Sequence, residues 1–487
     1  MKKFIKSLEL RISDLLLLVG FVAFAMFLIF GQLFMQFQDP NQVSFPLWAA
    51  IPCFVIMIGC WSYYLYYELY VRKVSFNPYI AITFVVLLMI NIIAIVIQPS
   101  HSSEVVNIRW SPTDPSIVNT KETVLLSVSD MHKFIFISEL TGAGMFIYIA
   151  MFVFSKRITN ISFIEYLGYA LFILIGVICI YSYIVEFDSY KHIFMFFLRI
   201  DKEHTFSEIS NIYAVQSFVI HKNAFGMILM LGIVFCFINQ SIRQRKWYYP
   251  LAVFFFIQMI FTFCKTGLLI TAVIGFIYLV YRLIVTYKDH QKRNKITFIV
   301  LGVLVGLGII FVGVPYVTKG KIFGKVYQLI ESFSGNSLTL TTRSYIWDNC
   351  YQLLRNGWWL IGRGFGSICL QLMPMNMVSH GEKVFPTHSA FLNMLCSGGI
   401  ITFLAYLGFL VYIGYVIYKS YKKSPEFTFA VGLGVLCFFL YSFIETIHYL
   451  MYIFLFPIFV IYFSNAKQKE ELPQVETQKE QKNISAT

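Results

Sequence analysis

Apolar runs of roughly 20 residues, each long enough to cross a bilayer, recur from one end of this 487-residue chain to the other. Lipid offers no hydrogen-bond partners, so every backbone N–H and C=O in such a run must be satisfied by helix geometry or by a closed barrel. The runs are too long for barrel strands and read as helices. Twelve spans are expected, at roughly 15–36, 46–67, 78–98, 134–154, 161–184, 223–240, 248–264, 266–286, 296–315, 389–418, 427–445 and 447–464. The expected fold class is an all-α polytopic membrane protein. A composition of 58% hydrophobic and 13% charged residues excludes an ordinary soluble domain.

Charge orients the spans. The formal net charge of +13 suggests nucleic acid at first sight, but no nucleic-acid motif accompanies it. The short turns SKRITN, SIRQRKW and YKSYKK concentrate Lys and Arg as cytoplasmic loops do. Both termini are therefore expected on the cytoplasmic side of the inner membrane. Lys2, Lys3, Lys6 and Arg11 precede the first run with no small-residue cleavage site after it, which reads as a retained span. The expected organisation is a cytoplasmic start (1–14), nine spans within 15–315 with outer loops at 99–133 and 185–222, a large outer loop at 316–388, three spans within 389–464, and a disordered cytoplasmic tail at 465–487. The lopsided loops lack the similar halves of a repeat-built transporter.

The large loop has structure of its own. Thr342 can cap a helix that starts near Arg343. Ile346, Trp347, Cys350, Leu353 and Leu354 would share its apolar face, opposite Asp348, Asn349 and Gln352. This reads as a surface helix with Trp347, Trp358 and Trp359 at headgroup depth. Cys350 and Cys369 fall in the same loop and can pair, although spacing does not decide connectivity.

Six places can carry chemistry. Lys265 stands alone between two apolar runs, where a cation either binds an anion or snorkels to the interface. Arg343 at a helix start suits an anion, or is merely solvated. Gly362-Arg363-Gly364-Phe365-Gly366 is no nucleotide loop; its glycines allow a tight turn that can aim Arg363 at a ligand. His388 precedes the tenth run, where it can take a proton from a sugar hydroxyl or simply hold a hydrogen bond. His221, Lys222 and Asn223 lead into the sixth run, with Asn223 as helix cap; His221 and Lys222 can reach a phosphate or acceptor sugar, or Lys222 merely snorkels. Glu445 and His448 flank the last outer turn, where they can bind sugar or form a structural ion pair. Among the acids of the second outer loop, Glu186, Asp188, Asp201, Glu203 and Glu208 are further candidates to bind sugar. No metal-ligand spacing stands out, and neither a metal nor a cofactor is expected.

HKNAFG entering a span, FCKTGLL between spans, RSYIW followed by LIGRGFGS, and THSAFLNMLCSGG with its His-Ser-x9-Gly pattern occur in that order. Over roughly residues 200–464 the chain resembles the O-antigen ligase and oligosaccharide repeat-unit polymerase family of bacterial envelope enzymes. The resemblance implies a fold like the GT-C glycosyltransferases, with no metal. It implies polyprenyl-diphosphate-linked oligosaccharides as donor and acceptor at the outer face of the membrane. It places essential basic groups at Lys265, Arg343 and His388. One departure stands out: the family often has Ser-Arg where this chain has Cys264-Lys265, which keeps the charge and loses the guanidinium fork. The expected activity is repeat-unit polymerisation for capsule, exopolysaccharide or O-antigen, beside flippase and chain-length regulator partners. Ligation of a finished glycan to a lipid A core or to protein is the alternative. A transporter or flippase is the second alternative.

Overall fold

The structure, a computed structural model, describes residues 12–36, 44–71, 78–100, 103–108, 120–126, 128–149, 162–198, 209, 212–217, 222–286, 318, 341–355, 357–380, 387–421 and 425–444. The helices are α1 (Ile12–Gln36), α2 (Ser44–Tyr66), α3 (Pro78–Val96), α4 (Asp130–Tyr148), α5 (Ser162–Val185), α6 (Phe187–Phe197), α7 (Lys222–Arg243), α8 (Tyr248–Thr262), α9 (Lys265–Thr286), α10 (Thr341–Leu354), α11 (Ser367–His380), α12 (Ala390–Tyr421) and α13 (Pro425–Ile444); all but α6, α10 and α11 follow the apolar runs. The expected spans at 296–315 and 447–464 lie outside the described residues. Among the described residues six helices are long and apolar enough to cross a membrane: α2, α5, α7, α9, α12 and α13. The chain is a mostly helical, polytopic membrane protein.

The exposed faces carry the same message. On α3, Ile82, Val85, Val86, Met89, Ile93 and Val96 are all exposed. They recur at helical spacing as one apolar stripe, while Asn91, Ala94 and Ile95 on the other side are buried. A stripe that large exposed on a water-soluble surface would aggregate; in lipid it is the solvated face.

Two compact units make up the chain. The second comprises residues 165–342 and 429–441, with α5 to α9 and the middle of α13. Helix α7 is its centre: it is apolar and buried along nearly its whole length, Phe225 to Ser241. Arg243 at the end of α7 donates from Nε to Glu165 at the start of α5, 2.6 Å away.

The first unit comprises residues 1–164, 343–428 and 442–487. It corrects the all-α expectation: β1 (Ser103–Ile108) and β2 (Thr120–Leu125) pair antiparallel within the first long loop, Glu104 opposite Val124. Val124 and Leu126 join Ile346, Cys350, Leu353 and Leu354 of α10, Ile368, Cys369, Leu372 and Met375 of α11, and Leu392 and Cys396 of α12 in one apolar cluster. A fully buried aliphatic side chain contributes about 1.5–3 kcal/mol, so α10 is held as part of a core rather than laid on a surface. Two details of its reading change. Thr342 sits inside the first turn instead of capping it. Asn349, assigned to the polar face, is fully buried. Trp347 is half-buried, and Trp359 is 57% exposed.

Helix α12 is broken. Gly399 has φ 65° and ψ −172°, outside helical values. In an unbroken helix the Ile400 amide would donate to the Cys396 carbonyl, four residues back. Instead it donates to Trp359 O at 2.9 Å. The loop between α10 and α11 fills the gap: Arg363 N reaches Cys396 O and Gly364 N reaches Ser397 O, each at 2.8 Å. The loop can come this close because Gly357, Gly362, Gly364 and Gly366 all have positive φ. A Cβ on Gly399 would fall 2.2 Å from Leu360 O. Gly399→Ala therefore combines a backbone clash with a left-handed φ, each costing on the order of 1–3 kcal/mol. Its thermal midpoint in detergent, followed by size-exclusion chromatography, should fall well below wild type. An unchanged midpoint would contradict the break.

Candidate functional site

His388 stands at the entry to α12. Ser389 caps that helix: its Oγ accepts from Leu392 N at 3.4 Å and its carbonyl from Asn393 N at 2.9 Å. The chain must turn sharply before such a cap, and His388 makes the turn at φ 50°. A left-handed non-glycine residue costs on the order of 1–2 kcal/mol and persists where its surroundings hold it. Here they do. Thr387 Oγ1 donates to Ser389 O at 2.9 Å, and Trp347 Nε1 donates to Thr387 O at 2.9 Å. Helix α10 is thus fastened beside the His388 corner. Arg343 lies four residues before Trp347, one turn earlier in α10. Positions 343 and 388 belong to the same unit.

Arg363 serves differently from its expected role as a ligand contact. Its side chain is 1% exposed. NH1 and NH2 grip the two carboxylate oxygens of Glu104 on β1, both at 3.0 Å. Nε donates to Leu353 O near the end of α10 at 2.8 Å, and the guanidinium lies 4.6 Å over the Trp358 ring. Those donors are occupied within the protein.

In the second unit Lys265 is the first residue of α9. Phe263 ends α8 in the left-handed conformation, φ 49°. Cys264 is packed so tightly that a Cβ on Gly226 of α7 would lie 2.5 Å from its Cβ. That close approach brings the first turns of α7 and α9 together, and with them Lys222 and Lys265, whose ammonium groups repel. Two cations at two helix N-termini oppose the helix dipoles; an anion between them would relieve both. Asn223 is not the cap: α7 starts at Lys222, so Asn223 sits inside the first turn, where its carbonyl accepts from Tyr441 Oη at 3.1 Å.

Glu186, a candidate sugar contact, is engaged by backbone: its two oxygens accept from Gln216 N at 3.1 Å and Ser217 N at 2.9 Å. Asp188 is exposed on α6. His221, Asp201, Glu203, Glu208, Glu445 and His448 lie outside the described residues. Among the described residues no group of three or more His, Cys, Asp or Glu side chains could hold a metal ion. Sequence reasoning missed Glu104. Its signal was the β-branched run Val105, Val106 and Ile108 in a polar loop, a strand composition inside a chain otherwise read as helices.

These elements coincide with a known family. Residues 250–407 match the family model for O-antigen ligase. The matched segment spans Lys265, Arg343, Arg363, His388 and Gly399, so the resemblance carried by the motifs is shown. The match covers about a third of the chain, residues 250–407 of 487. No curated protein matches the chain.

Cys350 and Cys369, which can pair by sequence, are separate thiols in the shared apolar cluster. Burial pushes the Cys369 thiol up to about 12 and raises that of Cys350 as well. A thiol raised this far is protonated at neutral pH, and the protonated form is a poor nucleophile. A polar maleimide at pH 7.5 should leave both unlabelled in the native protein and label both after denaturation without reductant. A denatured, unreduced protein still unlabelled at both positions would show them bonded.

Proposed function

We propose that this protein is a repeat-unit polymerase: it moves a growing glycan from its polyprenyl diphosphate onto the next lipid-linked repeat, at the outer face of the cytoplasmic membrane. The observation that supports it most is the His388 corner, held in a left-handed turn at the cap of α12 and fastened to the helix that bears Arg343, within the O-antigen ligase segment. The accompanying picture is a GT-C-like membrane domain of twelve spans with both termini inside.

The chemistry is a single displacement. The acceptor hydroxyl oxygen attacks the anomeric carbon of the donor sugar. The bond from that carbon to the diphosphate oxygen breaks, and the anomeric centre inverts. His388 takes the hydroxyl proton, a role worth about 10²–10⁴ in rate. Negative charge grows on the leaving diphosphate. Lys265 and Arg343 stabilise it as fixed cations, each worth about 10²–10³ by analogy with oxyanion-hole donors. Lys222 assists Lys265 in binding. No metal is required for this step.

The family description supports a second reading equally: ligation of a finished glycan to another acceptor. Donor chemistry is common to both, so the glycans of a deletion strain decide. Single capped repeats support polymerisation; full-length, unattached chains support ligation. Purified protein given the lipid-linked repeat extracted from that strain should lengthen it. Movement of the label across the membrane with no new glycosidic bond would point to a transporter instead.

Roles divide by affinity. Lys265→Ala and Arg343→Ala should abolish activity and weaken donor binding, while Lys265→Arg keeps much of both. His388→Ala should inactivate with donor affinity retained, because its partner is the acceptor. Near-wild-type turnover in all three alanine variants, at normal protein levels, would reduce these residues to anchors.

A further inference from the structure

Arg363 ties four pieces of the first unit together. Its guanidinium holds Glu104 of the β1–β2 hairpin in a two-pronged ion pair, donates to Leu353 O near the end of α10, and covers Trp358 of the inserted loop. Its backbone amide donates to Cys396 O at the break in α12. Burying an arginine is costly unless its charge and donors are met, and here three of its nitrogens are met by geometry that a lysine cannot copy. Glu104 lies well outside residues 250–407, so this clamp is built partly by chain that the family segment does not include.

The clamp is a lever on the reacting groups. The half of α12 ahead of the break runs from Ala390 to Gly398 and begins at the cap that follows His388. A short helix transmits displacement along its axis rather than absorbing it. Any shift of the loop at Cys396 and Ser397 therefore moves the His388 corner. The Leu353 bond applies the same constraint to α10, which carries Arg343. Misplacement of a reacting group by about 1 Å can cost about 10²-fold in rate.

We propose that Arg363, held by Glu104, is a positioning residue for glycosyl transfer: it sets α10 and the first half of α12 in register, so that Arg343 and His388 address the same reacting bond. The proposal rests on the polymerase or ligase chemistry above and applies to both. Arg363→Lys keeps the charge and loses the fork; Glu104→Gln keeps the shape and loses the charge. Three readouts separate the roles in the full-length protein: folded yield with thermal midpoint, affinity for undecaprenyl diphosphate as a sugar-free probe, and turnover per folded molecule with lipid-linked repeat from the deletion strain.

The expected result is turnover lower by about tenfold or more in Arg363→Lys, a smaller fall in Glu104→Gln, and probe affinity within about twofold of wild type in both. The double variant should be no slower than Arg363→Lys, because the two side chains act as one unit. Weaker probe binding in Arg363→Lys with Glu104→Gln unaffected would make Arg363 a direct ligand contact and overturn the proposal. Wild-type turnover per folded molecule, with only the yield reduced, would overturn it as well. If Arg363→Lys does not fold, Glu104→Gln decides: its turnover per folded molecule must fall with probe affinity kept. A wild-type protein that forms no glycosidic bond is a separate outcome and defeats the functional reading itself.

Discussion

Three backbone hydrogen bonds across the break in α12 are the constraint on which the first unit depends. A helix in or near lipid cannot leave carbonyls unsatisfied, since each would cost several kcal/mol. At Cys396 and Ser397 the helix gives up its own donors and takes those of Arg363 and Gly364, while Ile400 finds Trp359 O. The exchange is possible only because glycines stand at the contact points. Gly362 passes so close to Ser397 that an added Cβ would lie 2.4 Å from its carbonyl oxygen, and Gly399 meets Leu360 O in the same way. The loop is thus part of the helix it interrupts.

From that junction the rest of the unit follows. The loop fixes the end of α10 through Leu353 and leads into α11 at Ser367. The three helices, with the hairpin, enclose one apolar cluster, which orders a segment that lies between spans. Beyond the break, α3 secures the second half of α12: Asn91 Nδ2 donates to Thr402 Oγ1 at 3.0 Å. The first half is left as a short, capped helix with His388 at its entrance. A reacting group on such a helix is placed by rigid elements rather than by a loop alone.

Much of this was legible in the sequence, for identifiable reasons. Apolar runs marked helices α1 to α5, α7 to α9, α12 and α13, because length in lipid admits few alternatives; α6 falls in the expected outer loop 185–222 and was not foreseen. His388, Arg343 and Lys265 stood out because charge beside an apolar span is rare. The glycines of GRGFG announced a tight turn, yet nothing local revealed that its partner was a helix break thirty-odd residues on; Gly399 in CSGGI reads as an ordinary small residue in a span. Arg363 was visible as a cation but not as a buried one, since its partner Glu104 is 259 residues away in sequence. The hairpin was hidden because neither SEVVNI nor TKETVL alternates apolar and polar residues, so periodicity did not mark a strand. Asn349 was misassigned because a helical wheel records spacing and not what packs against it.

Hydrogen–deuterium exchange of the detergent-solubilised protein tests the junction most directly. The amides of Arg363, Gly364 and Ile400 are bonded across the break, so these three, resolved by overlapping peptides, should exchange as slowly as amides of the buried helix α7. Exchange of Arg363 and Gly364 at the rate of a solvated loop, with Ile400 protected as in a continuous helix, would mean that α12 is unbroken and that the loop does not build the His388 corner.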